Sequence, residues 1–216
     1  MFDRGNTRGA FSRLLRRALM GVALVLPLGL SAMPAKAQAS AAAQAVADHF
    51  SSVGAMTGDF MQFDPNGKQS EGKFYIERPG KLRFDYSGTP LRVIADGSQV
   101  AINNRKLNTW DLYPLSKTPL KLLLNERIDL SAANIQDVKE EPDLTTIVMG
   151  DKSFFGDQTI TLMFDPKTYD LRQWTITDAQ AKDTSVMIFN VQTGVQFDEK
   201  VFTVPYDDVR NKGRGG

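Results

Sequence analysis

Cysteine is missing from all 216 residues of the chain. Its absence excludes disulfide bonds, thiol catalysis and cysteine-ligated metal sites. A lipid-modified cysteine is excluded as well, so the chain itself is not acylated in that way. The folded state must therefore be stabilised by its apolar core.

Histidine is nearly missing, because His49 is the only one in the chain. With no second histidine to complete a site, we expect His49 at a polar helix position without a catalytic role. Neither a Gly-x-Ser-x-Gly motif nor a complete Gly-x-x-x-x-Gly-Lys-Ser/Thr motif occurs. An enzyme is therefore a minority hypothesis, and we expect no cofactor and no metal site.

The N-terminal segment has the three parts of an export signal. Five arginines precede an apolar run from Ala18 to Leu30, and Ala35-Lys36-Ala37 fits a small-x-small cleavage site. The run of about 13 residues is shorter than the roughly 20 that span a bilayer. We therefore predict a signal peptide over residues 1–37 and one mature domain over 38–216. An uncleaved anchor remains the alternative, and the export route stays open.

Removal of residues 1–37 changes the sign of the net charge. The whole chain carries +1, but that segment holds six basic residues and one acidic residue. The remainder has 20 basic and 24 acidic residues, a net charge of −4. A mildly acidic domain is a poor candidate for nucleic-acid binding, so we expect no nucleic-acid partner.

Strand patterns dominate the chain after one N-terminal helix. Val46, Phe50 and Val53 recur at helical spacing and predict a helix over residues 40–53. Turn signals at Asp64-Pro65-Asn66-Gly67, Asp96-Gly97 and Asp165-Pro166-Lys167 separate alternating segments. Strands are predicted near 57–63, 70–77, 81–86, 91–95, 99–104, 108–112, 144–149, 158–164, 171–177, 184–192 and 201–204. Segments this numerous and short predict a mainly β fold, a strongly curved antiparallel sheet or half-open β-barrel.

An Arg-Pro corner joins two of these strands. Phe74 and Ile76 share one face before it, and Leu82, Phe84 and Tyr86 share one face after it. Arg78 is in step with Phe74 and Ile76, which predicts a cation on the apolar side. A charge there is costly unless it has partners.

The apolar faces of the predicted strands together form one inner wall of the curved sheet. Its members are Phe60, Phe74, Ile76, Leu82, Phe84, Tyr86, Ile160, Leu162, Phe164, Trp174 and Ile176. One short helical segment follows Thr118 as candidate N-cap and Pro119 as first helical residue. Its leucines, Leu120, Leu122, Leu123 and Leu124, are too apolar for a wet surface and must cover something apolar.

Four ordered stretches of the sequence resemble the LolA family of periplasmic lipoprotein carriers. They are Gly58–Gln62, Ile76–Tyr86, Thr118–Leu124 and Phe202–Pro205. The resemblance implies a half-open barrel whose helices form a lid over an interior that holds lipoprotein acyl chains. It implies that Arg78 ties the sheet to the lid and that Leu82 belongs to the acyl-binding wall.

The resemblance also implies partners and a compartment. A periplasmic carrier of this family receives lipoproteins from an inner-membrane ABC transporter and delivers them to an outer-membrane acceptor, and we expect it to be a monomer. Two other functions stay open, a lipid-binding or lipoprotein-binding sensor of the same fold and, less favoured, an envelope hydrolase. The apolar faces could also pack as an ordinary core with Arg78 turned to solvent.

Overall fold

The computed structural model of the protein describes residues 40–132 and 134–212. The predicted signal peptide lies outside these residues. Within them, no helix is both long and apolar enough to cross a membrane.

Eleven antiparallel strands form one sheet in the order β6-β5-β4-β3-β2-β1-β11-β10-β9-β8-β7. Strands β6 and β7 are its two edges, so the sheet is not closed. The strands are β1 Ala55–Phe63, β2 Gln69–Glu77, β3 Lys81–Tyr86, β4 Leu91–Asp96, β5 Gln99–Asn104, β6 Thr109–Pro114, β7 Ile135–Glu141, β8 Leu144–Met149, β9 Thr159–Phe164, β10 Leu171–Thr177 and β11 Asp183–Thr193.

Aromatic contacts between distant strands show how strongly the sheet curves. Strands β3 and β10 are four steps apart in the sheet order, which would separate them by about 19 Å in a flat sheet. The rings of Phe84 on β3 and Trp174 on β10 nevertheless stack with centroids 6.0 Å apart. The sheet therefore curls until the two halves of its concave face meet, which confirms the predicted fold class.

The first three helices bury apolar residues at the concave side of the sheet, whereas the C-terminal helix contacts edge strand β6. Helix α1, Ala41–Ser52, is capped by the Ser40 hydroxyl and buries Ala43, Val46, Ala47 and Phe50, which share one face. A 3₁₀ turn at Leu115–Lys117 precedes α2, the single helical turn Leu120–Leu123. A second short helix, α3, covers Lys152–Phe155, and α4 covers Tyr206–Lys212.

The predicted turns form as tight connections held by aspartates. The Asp64 carboxylate accepts hydrogen bonds from the amides of Asn66 and Lys68. Asp96 accepts from the amides of Ser98 and Gln99, and Asp165 plays the same part between β9 and β10. These local hydrogen bonds are the reason that the aspartate turn signals could be recognised.

The C-terminal segment differs from its prediction. The strand predicted at 201–204 is wrong, because a 3₁₀ turn occupies Glu199–Phe202 and no strand follows it in the described residues up to 212. Phe202 and Val204 are buried all the same. Val204 packs with Ile94, Ala101 and Trp110 on the outer face of the sheet. Phe202 and Val204 therefore alternate because both pack onto the sheet, although neither belongs to one of its strands.

Two local predictions also need correction. Strand β7, which includes Glu140 and Glu141, is absent from the predicted strands. The Thr118 hydroxyl donates to the Leu115 carbonyl at 3.0 Å and does not cap α2, which begins after Pro119.

Candidate functional site

The interior of the curved sheet is filled by side chains from both of its halves. Phe60 stacks on Phe84 with centroids 4.5 Å apart, and Tyr86 meets Phe60 edge-on at 5.0 Å. The hydroxyl of Tyr86 donates to Gln62 at 2.7 Å, and burial raises the pKa of this phenol to about 12. Aromatic rings and one satisfied hydroxyl therefore form the middle of the interior.

The structure places the predicted wall residues together. All of them except Ile176 are buried members of one core cluster, and Ile176 packs against that cluster while half-buried. Leu82 is fully buried. The alternating faces recognised in the sequence thus converge on one apolar interior.

The leucine-rich segment covers this interior. Leu122, Leu123 and Leu124 are buried members of the same cluster, and Leu120 packs against it while half-buried. We call α1 and the segment 115–124 the lid, since both bury apolar residues against the concave face of the sheet. The helices fill the space that a bound apolar ligand would need.

Arg78 connects the sheet to α1. Its side chain lies at the corner between β2 and β3 and is only 9% exposed. The Nη2 group donates to the carbonyl oxygens of Phe50 and Val53, at the C-terminal end of α1. The guanidinium also lies 4.1 Å from the centroid of the Phe50 ring. A cation is favoured at this end of a helix, where backbone carbonyls lack partners within the helix.

The same arginine is incompletely paired. Its Nε and Nη1 atoms are buried and have no hydrogen-bond partner among the described residues. Burial lowers the pKa of Arg78 to about 10, which still leaves the side chain charged at neutral pH. A buried cation held by carbonyls and one ring, without all its hydrogen bonds, costs free energy in the closed state.

The Arg-Pro corner holds both parts of the lid. The Arg78 amide donates to Gly54 just after α1, and the Gly80 amide donates to the Leu124 carbonyl at the end of α2. The Arg78–Pro79 peptide bond is cis. Gly80 has a φ of +83°, and a β-carbon there would lie 2.7 Å from the Cα of Gly97. Only glycine suits this position, because a side chain would strain the backbone and collide with the β4–β5 turn.

Two further hydrogen bonds link α1 to other elements. The Ser51 hydroxyl donates to Ala47 and accepts from the amide of Ile128, in the segment after α2. At the other end, the Ser40 hydroxyl donates to Glu140 on edge strand β7 at 2.6 Å. Helix α1 is therefore tied at its start to a sheet edge and at its end to the corner and to the segment that follows α2.

The closed interior leaves little free volume. A cavity of about 20 Å³ lies beside His49 and Tyr169, and one of about 110 Å³ lies beside Leu122 and Met149. Pockets that bind small ligands measure roughly 300–1,000 Å³. A long apolar ligand could therefore enter only if the lid moves away.

Helix α1 is the part of the site that the sequence left unassigned. Its apolar spacing predicts a helix, and the family resemblance implies a lid made of helices, but the predicted lid residues all belong to the leucine-rich segment. The carbonyls that bind Arg78 belong to α1, 25 and 28 positions before it in the sequence. Backbone acceptors leave no signature in the side-chain pattern, so only the apolar face of α1 could have indicated its place.

His49 lies on α1 as expected. Its Nε2 atom is 3.8 Å from a carboxylate oxygen of Asp170, and its ring meets Tyr169 edge-on. Among the described residues, no group of three or more potential metal-binding side chains comes together.

Similar proteins are carriers by name. The family model described as "Outer membrane lipoprotein carrier protein LolA" matches residues 51–205. An outer-membrane lipoprotein carrier protein of Methylobacillus flagellatus is 30% identical over 149 residues, 64% of this chain and 64% of that protein. One of Alkalilimnicola ehrlichii is 32% identical over 93 residues, 40% of this chain and 44% of that protein. A solved LolA-superfamily structure from Nitrosomonas europaea has a TM-score of 0.43 at 7% identity, covering 76% of this chain and 98% of its own.

The chain thus spans less than two thirds of the length of these two relatives. The family match, however, covers most of the chain itself. It starts within α1 and ends at Pro205, so all eleven strands, the Arg-Pro corner and the leucine-rich turn lie inside it. The chain therefore belongs to the LolA family of outer membrane lipoprotein carrier proteins.

Proposed function

We propose that this protein is a periplasmic lipoprotein carrier. Its interior receives the acyl chains of a lipoprotein when the lid moves away from the sheet, and the closed structure is its empty state. No bond is made or broken in this cycle, so the protein acts as a chaperone and needs no catalytic group.

The incomplete pairing of buried Arg78 carries the proposal. A side chain that served only stability would gain from being apolar at this buried corner, since replacing buried charges by apolar groups is often neutral or stabilising. Arg78 instead links the sheet to α1 through carbonyl acceptors while two of its donor atoms stay without partners. Such a link is specific in geometry and weak in net free energy, which suits a lid that must open and close.

The apolar lid supplies the other half of the exchange. Each buried CH₂ group of an acyl chain gains about 0.8 kcal/mol, so several long chains would bind too tightly for release without compensation. Leu122, Leu123 and Leu124 bury themselves in the interior when it is empty. Because the lid regains these contacts as the chains leave, the net free energy of release becomes small.

The carrier role includes a donor and an acceptor. We propose that an inner-membrane ABC transporter loads the protein and that an outer-membrane acceptor or receptor lipoprotein takes the cargo. The route requires export of the chain to the periplasm, in keeping with the predicted signal peptide. We expect a monomer, because the interior and its lid are contained in one chain.

Transfer of an acylated protein tests the proposal. Purified residues 38–216 are incubated with inner-membrane vesicles that contain the transporter, ATP and a labelled lipoprotein, and the released complex is isolated. We expect a soluble complex, with intact acyl chains by mass spectrometry, that passes its cargo to outer-membrane vesicles.

The same experiment separates the alternatives. Loss of acyl groups during incubation would indicate a hydrolase. Binding of a fluorescent fatty-acyl probe with no delivery to acceptor membranes would indicate a sensor. Absence of any binding would remove the carrier proposal.

A further inference from the structure

The larger of the two cavities lies at the margin of the lid, which we call the rim. It measures about 110 Å³ and lies between the segment that follows α2 and strands β7 and β8. The lining residues are Leu122, Asn125, Arg127, Ile128, Asp129, Ala132, Asn134, Ile135 and Met149. The cavity thus lies where the lid meets one edge of the open sheet.

The cavity has an apolar side that continues into the interior. Leu122, Ile128 and Met149 are buried members of the main core cluster, and Ile135 packs against that cluster. Ile135 and Met149 are paired across β7 and β8. An acyl chain that entered along this side would pass from the rim to the wall residues without meeting water.

The opposite side is polar. Asn125 and Asn134 are half-buried and carry amide groups that can donate hydrogen bonds, while Arg127 and Asp129 are exposed. A ligand with an apolar tail and hydrogen-bond acceptors at its head fits both sides at once. The ester and amide carbonyls of an acylated cysteine are such acceptors.

The polar side is held in place by the backbone. The Asp129 carboxylate accepts from the amide and hydroxyl of Ser131. The Asn134 carbonyl accepts from Gly150 at 2.9 Å, which fixes this segment to the end of β8. The Ile128 amide donates to Ser51, so the rim is also connected to α1.

Arg127 and Asp129 at the rim bear on whether a neutral or an anionic lipid head group would bind there. Hydrogen bonds from Ser131, helped by the positive charge of Arg127, lower the pKa of the Asp129 carboxyl, which is therefore ionised at neutral pH. One guanidinium and one carboxylate leave the rim with no net charge. Because the two charges offset each other, the rim offers no net attraction to an anionic phosphate, whereas its amide donors can serve a neutral ester or amide.

We infer that this rim cavity is the port for the acyl chains and the binding site for the neutral, carbonyl-bearing head of the acylated cysteine, which it prefers to an anionic phospholipid. The inference rests on the proposed carrier function and adds the place of entry and the chemistry of the head. In it, Asn125 and Asn134 donate to carbonyl oxygens, and the chains pass between Leu122 and Met149.

A comparison of three ligands tests the head site. The ligands are a fluorescent palmitoyl probe, a synthetic peptide with a dipalmitoyl-glyceryl cysteine, and dipalmitoyl phosphatidylglycerol. In the double variant Asn125→Leu/Asn134→Leu we expect about tenfold weaker binding of the lipopeptide, because two hydrogen bonds are lost. Binding of the palmitoyl probe should change less than twofold. Gln180→Leu, in the exposed turn between β10 and β11, is the matched control and should change neither.

Two further variants test the port and the charge selection. Ala132→Trp fills the rim cavity and should slow lipopeptide uptake about tenfold, whereas Ala179→Trp, in an exposed turn, should not. Asp129→Asn should strengthen phosphatidylglycerol binding severalfold and leave the palmitoyl probe unaffected. If the double variant fails to fold, Ala132→Trp still tests whether ligands bind through the rim cavity.

The outcomes are distinct from failure of the carrier function. If the unmodified protein binds neither the palmitoyl probe nor the lipopeptide, the carrier proposal itself fails. If it binds both, but the double variant weakens them equally or not at all, the head site is wrong. Unchanged uptake in Ala132→Trp would place the port elsewhere.

Discussion

At the scale of single residues, Arg78 is a cation on the apolar face of the sheet. Its neighbours on that face, Phe74 and Ile76, are fully buried. One guanidinium nitrogen, Nη2, donates to both carbonyls at the end of α1, and the guanidinium also lies against the Phe50 ring, a contact that suits its planar group better than a lysine ammonium. The sequence position therefore couples the sheet to α1 without requiring a carboxylate on the lid.

Arg78→Leu should give a protein that accepts cargo and fails to release it. Leucine removes the hydrogen bonds to Phe50 and Val53 and also the cost of a buried cation, so the empty closed state loses its specific link while the apolar interior is kept. Pulse release of labelled lipoprotein to acceptor membranes measures the effect, and we expect release at least tenfold slower than in the parent.

Arg105→Leu is the matched control for this variant. Arg105 also donates to backbone carbonyls, those of Thr89 and Pro90, but it lies exposed in the β5–β6 turn. It should transfer cargo normally. If Arg78→Leu delivers cargo at the rate of Arg105→Leu, Arg78 has no part in hand-over.

Gly80→Ala should weaken the corner that holds both parts of the lid. Alanine at a φ of +83° costs about 1 kcal/mol, and its β-carbon would press on the Gly97 backbone. Gly88→Ala has a similar φ of +70° but open space around it. Urea unfolding should therefore show a loss of about 1 kcal/mol for Gly88→Ala and roughly 2–3 kcal/mol for Gly80→Ala. Equal losses would mean that the turn beside Gly80 gives way.

Individual residues also show which features of the site could be predicted from the sequence. The placement of Arg78 and the wall residues on one face follows from strand alternation, which needs no knowledge of distant contacts. The acceptors of Arg78 could not be predicted, because they are carbonyls exposed by the end of a helix. Whether the interior is filled or empty is also invisible in an alternating pattern, since a packed core and an apolar binding wall have the same periodicity.

At the scale of elements, the lid consists of parts with little stability of their own. Helix α2 is one turn, and a helix this short does not form alone in water. It is held by the burial of its leucines and by hydrogen bonds such as that from Gly80 to Leu124. Such an element can leave the interior when another apolar surface replaces the one that it covers.

Ser51→Ala should loosen the connection between α1 and the segment after α2. The variant leaves the amide of buried Ile128 without its acceptor, which costs about 1–2 kcal/mol. Hydrogen exchange at Ile128 should accelerate about tenfold or more, and the palmitoyl probe should bind faster. The neighbouring Ser52→Ala removes only an exposed bond to His49 and serves as control. Equal exchange at Ile128 in both variants would show that the hydroxyl does not join the two parts.

Elements at the margins of the sheet were the hardest to predict. Strand β7 contains four charged residues among its seven, and its register shifts between Ile135 and Asp137. A bulge interrupts the alternation on which a strand prediction depends. In the C-terminal segment a strand was predicted that does not form. Phe202 and Val204 alternate as in a strand, but they are buried against the outer face of the sheet.

At the scale of the whole molecule, the two faces of the sheet have different tasks. The concave face holds the interior that opens in the proposed carrier cycle, while the outer face of the β2–β6 half is covered by the segment that follows β11. There, Phe197 contacts the rings of Tyr75 and Phe202, and Arg83 donates to the Val201 carbonyl. Because this packing lies on the face opposite the lid, we expect it to stay in place if the lid moves, and to help keep the sheet curved.

A pair of phenylalanine variants separates these tasks. Phe202→Ala and Phe84→Ala each remove a buried ring, and each should lower the free energy of unfolding by about 3–5 kcal/mol. Phe202 lies on the outer face, so its loss should leave the affinity for the palmitoyl probe unchanged below the unfolding transition. Phe84 stacks between Phe60 and Trp174 in the interior, so its loss should change that affinity severalfold. Denaturation curves with and without probe give both quantities. If Phe202→Ala alters binding as much as Phe84→Ala does at matched stability, the outer packing also sets the shape of the interior, and the two faces are not independent.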